Sequence, residues 1–125
     1  AVTGFKSRDW AGEVANAKAV LQSSDIHFEL DEDMTMPSGH ANEVLAMALR
    51  ELVTNVIRHS TASRCFLALR DNRDVLAFEF RDNGDSQTVK MGNGLNGLKE
   101  RVEQLHGTLT LDNKAGFAVL IRIPL

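Results

Sequence analysis

The chain has 125 residues, one domain's worth, and its 43% hydrophobic and 25% charged content is ordinary for a globular protein. A net charge of −3 supplies no basic field for nucleic acid or an anionic membrane, so phosphate binding would have to come from local geometry. The single cysteine, Cys65, excludes an internal disulfide framework or cysteine-rich metal site and points to a reduced, cytosolic compartment, and no apolar run approaches the roughly 20 residues that span a bilayer.

In chain order, Ser7 is placed to cap a helix over 7–22, with Trp10, Val14, Ala17 and Leu21 at helical spacing. Ile26, Phe28 and Leu30 alternate with His27 and Glu29, the period of a half-buried strand. The acidic run 31–33 and the following Pro37, Ser38 and Gly39 read as a loop, with His40 still in it. A long helix over 41–60 buries Leu45, Leu49, Leu52, Val53 and Val56. Strands over 64–70 and 74–81 flank a turn at Asp71, Asn72 and Arg73, and a polar loop covers 82–93. A third helix carries Leu95, Leu98, Val102 and Leu105 on one face, with Gly107 as its stop. Strands over 108–112 and 117–123 meet at a turn containing Asn113, Lys114 and Gly116. Isolated helices between hairpin-like strands favour a single α+β domain, a two-layer sandwich with helices on one face of a mixed, mostly antiparallel sheet.

Three local features bear on chemistry. In the long helix, spacing of four puts Glu51, Asn55 and His59 along one face, displaced from the Leu/Val stripe. A carboxylate and a carboxamide so stacked suit a hydrated magnesium ion, and Arg58 offers charge to phosphate oxygens; an exposed polar face is the plain alternative. Asp82-Asn83-Gly84 ends a strand, where an aspartate can accept from the exocyclic amine of adenine or simply make a turn. Gly92-Asn93-Gly94-Leu95-Asn96-Gly97 leads into a helix, whose N-terminus presents free N–H groups to an anion. A dinucleotide-binding reading of that run lacks its preceding strand and its acid about 20 residues on.

In this order, Glu-x-x-x-Asn, Asp-x-Gly and Gly-x-Gly-x-x-Gly resemble the N box and two glycine boxes of the GHKL superfamily, on the Bergerat ATP-binding fold. The stretch from Glu51 to Ser60 and the run from Gly94 to Val102 resemble sensor histidine kinases of the NarL-partner, DesK-like class. The resemblance implies ATP and Mg²⁺ as ligands. It makes Asn55 the metal ligand and Glu51 the catalytic acid that orients metal-bound water or polarises the attacking group. Arg58 would contact phosphate, His59 would lie against adenine, and Asp82 would read its amine with Gly84 giving room. Gly92, Gly94 and Gly97 would flank the triphosphate beside Asn93, Leu95 and Leu98, with 85–91 as a short lid. Two departures stand out. Ser86 replaces a second glycine of the first glycine box, and Phe117 stands where many relatives carry a threonine that supports a water at adenine.

The resemblance further implies a phosphoacceptor histidine on a separate dimerisation hairpin, of whose connection residues 1–6 would be a remnant, and a response regulator reached through the full kinase. His27, His40, His59 and His106 do not read as that acceptor, and His106 reads as a charge capping a helix end. The parent would be a membrane-bound kinase with this domain cytosolic, touching neither membrane nor nucleic acid and monomeric when isolated. A free-standing protein-serine kinase of the anti-sigma type and a nucleotide-free interaction domain remain the alternatives.

Overall fold

The computed structural model describes residues 9–84, 93–112 and 116–125. Its elements are α1 (Trp10–Ser23), β1 (His27–Asp33), α2 (His40–His59), β2 (Arg64–Asp71), β3 (Val75–Asp82), α3 (Asn93–Gln104), β4 (Thr108–Asp112) and β5 (Phe117–Pro124). The strands form one sheet in the order β1-β2-β3-β5-β4, parallel between β1 and β2 and antiparallel elsewhere. The parallel pair follows from α2, since parallel neighbours need a crossover long enough to hold a helix. The expected two-layer α+β sandwich is the one observed.

Register sorts the sheet's two faces. Cys65, Leu67 and Leu69 oppose Asp82, Phe80 and Phe78, which in turn oppose Phe117, Val119 and Ile121. This inner face packs against the apolar stripes of all three helices, with Leu21, Leu45, Leu49, Leu52 and Val102 fully buried. Trp10 meets Phe78 edge-on with ring centroids 6.0 Å apart. Its indole N–H donates to Glu32 and its backbone N–H to Asn42, tying the start of α1 to β1 and α2.

The local readings need five corrections. The first helix is capped by Asp9, whose Oδ1 accepts from the Gly12 N–H at 2.9 Å; Ser7 lies outside the described residues. The acidic run is strand, not loop, because Asp31 and Asp33 lie on the outer face where Arg70 pairs with both. His40 is the first residue of α2 rather than part of a loop. The α3 stop is His106, not Gly107: His106 takes φ 65° and donates to Glu103 O, while the Gly107 N–H reaches Val102 O. That is the two-bond left-handed helix ending, usually built on glycine. Gly107 is instead where the backbone passes close to the Arg122 carbonyl. The β2–β3 turn also sits slightly later than expected, with Arg73 and Asp74 both at positive φ between Asn72 and Val75.

Candidate functional site

The helix-covered face of the sheet ends, at the top of β3, in a charged residue. Asp82 continues the inner row of Leu76, Phe78 and Phe80, and it is the one buried charged side chain among the described residues, 6% exposed. Burial lifts its carboxyl above the ordinary range, opposed by hydrogen bonds from the Gly84 N–H, the Ser60 hydroxyl and the Phe117 N–H. The Gly84 bond is 2.8 Å to Oδ1. A carboxylate has about four lone-pair sites, so three internal donors leave room for one more. Beside it in register, Cys65 is pushed up to about 12 by burial and by Asp82, which makes it an inert strand residue.

Gly84 makes room for the chain itself. A Cβ there would lie 2.6 Å from the Ala62 backbone nitrogen and closer still to the Ser60 hydroxyl. The missing side chain thus lets the end of β3 lie against the turn that closes α2. Asn83 clamps the same junction, its side-chain oxygen accepting from the N–H groups of Ser63 and Arg64 at 2.9 and 3.0 Å. Ser60 and Phe117, as partners of Asp82, were not legible as such. Only a β2–β3–β5 register, which opposes Cys65, Asp82 and Phe117, would have suggested the second. The Phe117 side chain is buried and brings no hydroxyl, while its backbone supports Asp82 directly.

Along α2, Glu51 and Asn55 are one turn apart and half-buried. Ser60 is nine positions on from Glu51, about 14 Å at 1.5 Å per residue. The second half of α2 therefore runs from the Asp82 end of the site to Glu51, which lies against Gly94 in the first turn of α3. A Cβ on Gly94 would sit 2.7 Å from one Glu51 carboxylate oxygen and closer still to the other. Arg58 is exposed and also lines a groove of about 290 Å³ between α1 and α2 with Arg50, Thr54 and Ile57. His59 ends α2 and Asn93 begins α3. Gly92 and the expected lid at 85–91 lie outside the described residues. Leu95 and Leu98 are core side chains, 2% and 3% exposed, leaving only their backbone to a ligand. Gly97, by contrast, is uncrowded by the described residues: a Cβ there meets none of their atoms within 4 Å.

A scan against protein-family models gives no match. Individual proteins do match. The chain is 32% identical over 117 residues to the sensor histidine kinase YvfT of Bacillus subtilis, covering 90% of this chain and 32% of that protein. It is 30% identical over 129 residues to the sensor histidine kinase DesK of the same organism, covering 98% and 35%. The homologues of this chain are sensor histidine kinases. Its fold is that of solved histidine kinase catalytic domains: that of ThkA superposes with a TM-score of 0.70 at 14% identity, covering 93% of both chains. The histidine kinase domain of the blue-light activated kinase of Erythrobacter litoralis EL346 gives 0.75 at 17% identity, covering 98% of this chain and 66% of that one. The chain spans about a third of the length of the curated histidine kinases it matches. Among its described residues no helix is long and apolar enough to cross a membrane.

Proposed function

We propose that this chain is the ATP-binding catalytic domain of a two-component sensor histidine kinase, handing the γ-phosphate of Mg-ATP to a histidine on a separate dimerisation domain. The observation that carries the reading is the buried Asp82, held by three donors with acceptor capacity to spare, beside the C-terminal end of a helix that sets Glu51, at mid-helix and one turn before Asn55, against the start of α3. A buried carboxylate kept in place at a net electrostatic cost is a residue retained for what it binds. The 6-amino group of adenine would supply its fourth hydrogen bond. The N–H groups of the first turn of α3 and the Arg58 guanidinium would suit the phosphates.

The donors also fit magnesium. No cluster of three acidic, histidine or cysteine residues occurs among the described residues, so no protein cage exists there. Asn55, with Glu51 one turn away, would hold an ion that keeps its other positions for water and phosphate oxygens. When bound, magnesium would neutralise charge on the transferring phosphoryl group. The chain's own contribution is positioning. Asp82 fixes the base, Asn55 and Arg58 fix the phosphates, and Glu51 accepts a hydrogen bond from the attacking imidazole. The N–P bond forms as the bond between the β,γ-bridging oxygen and the γ-phosphorus breaks, and ADP leaves. The acceptor hairpin and the response regulator belong to other parts of the system, and the parent kinase would be membrane-bound with this domain in the cytosol.

Nucleotide titration tests the reading. Asp82→Asn should weaken ATP about ten- to hundredfold, the worth of a charge-assisted hydrogen bond, and narrow the preference for ATP over GTP. Equal binding of ATP and GTP by the unaltered protein would reject it.

A further inference from the structure

We infer that Gly94 is a positioning residue for Glu51, and that its lack of a side chain serves the carboxylate before it serves the nucleotide. The three glycines of the run would ordinarily be credited together with close approach to phosphate. The two that lie within the described residues have different surroundings. No described atom lies within 4 Å of a Cβ at Gly97, whereas the space above Gly94 is taken by the Glu51 carboxylate, with Oε1, Oε2 and Cδ all at or within 2.7 Å of where a Cβ would stand. Glu51 reaches across from α2 to the first turn of α3 and rests against the Gly94 backbone.

What a methyl group would displace is the far end of a flexible side chain, not backbone. The helix can therefore accept alanine, which also has the higher helix propensity. The carboxylate cannot stay where it is. Restoring ordinary van der Waals contact moves it by about 1 Å, and a misplacement of that size costs on the order of a hundredfold in rate. The signature of the contact is a change in turnover without a matching change in fold or in nucleotide affinity.

This inference rests on the proposed role of Glu51, and the experiment keeps the two apart. Autophosphorylation of the full-length kinase is measured at saturating Mg-ATP for the unaltered protein, Gly94→Ala, Glu51→Gln, Glu51→Asp and the double variants. ATP affinity and melting temperature are recorded for each. Gly94→Ala should lower the saturated rate about a hundredfold, leave the ATP dissociation constant within about twofold, and not lower the melting temperature. It should cost nothing further in the Glu51→Gln background, and less in the Glu51→Asp background, where the shorter side chain vacates the space. An unchanged rate in Gly94→Ala, a raised dissociation constant with an unchanged saturated rate, or the same fold loss with and without Glu51 would each overturn it. A fully active Glu51→Gln variant would instead remove the role of Glu51, and the inference with it.

Discussion

Alanine at Gly97 should make the protein more stable and its nucleotide binding worse. Gly97 is the fifth residue of the twelve in α3, inside the helix and past its first turn. Glycine there costs the helix about 0.8–1 kcal/mol relative to alanine. Nothing among the described residues requires it, since a Cβ would meet none of their atoms within 4 Å and the residue needs no left-handed backbone. Gly97→Ala should therefore raise stability by about that amount. For a chain of this length that is roughly 3–6 °C in melting temperature, with an unchanged urea m-value. If the open space is where the triphosphate passes, the same substitution should weaken ATP by about tenfold or more, or at least 1.4 kcal/mol. Thermal and urea denaturation with an ATP titration on the same sample measure both. A loss of stability would mean the space is not open. A gain in stability with unchanged ATP affinity would mean that no ligand comes near Gly97.

The fold makes three further predictions. Gly84→Ala should destabilise by about 1–3 kcal/mol, because its Cβ falls on the backbone of Ala62, and a lowered urea midpoint would register it. His106→Gly should stabilise by about 1 kcal/mol by relieving a left-handed non-glycine residue at φ 65°; Asp25, at φ 59°, should gain less, since aspartate tolerates that region. The Asp82 carboxyl titrates above its ordinary 3.8, so the folded protein holds this proton more tightly than the unfolded chain. Its contribution to stability is thus complete below 3.8 and lost as pH rises through the elevated value, and Asp82→Asn should flatten that part of a pH series of denaturation midpoints.

Where apolar periodicity and turn residues governed the outcome, the sequence was readable. The Trp10–Leu21 and Leu45–Val56 stripes, the alternation through Leu76, Phe78 and Phe80, and the two-layer architecture follow from it. It failed where a distant residue decided. The 31–33 run looks like a loop until Arg70 is brought alongside by the parallel pairing of β1 and β2. His106 takes the left-handed conformation usually left to glycine, while the adjacent Gly107 serves the close pass by Arg122. At the site, residue types at spacings of two and four put Asp82, Glu51 and Asn55 in view. The supports could not be seen that way: Ser60 and Phe117 reach Asp82, and Gly94 meets Glu51, only through tertiary packing. Leu95 and Leu98 show the converse, two residues of a motif whose side chains serve the core.

The most direct test of the account is transfer of label from γ-labelled ATP. The isolated chain should bind ATP without labelling itself. Mixed with the kinase's dimerisation hairpin, or within the full cytoplasmic region, it should place label on a histidine of that hairpin, in an acid-labile, base-stable linkage. Label on His59 or His106 of the isolated chain, or an acid-stable phosphoserine on a partner, would contradict it.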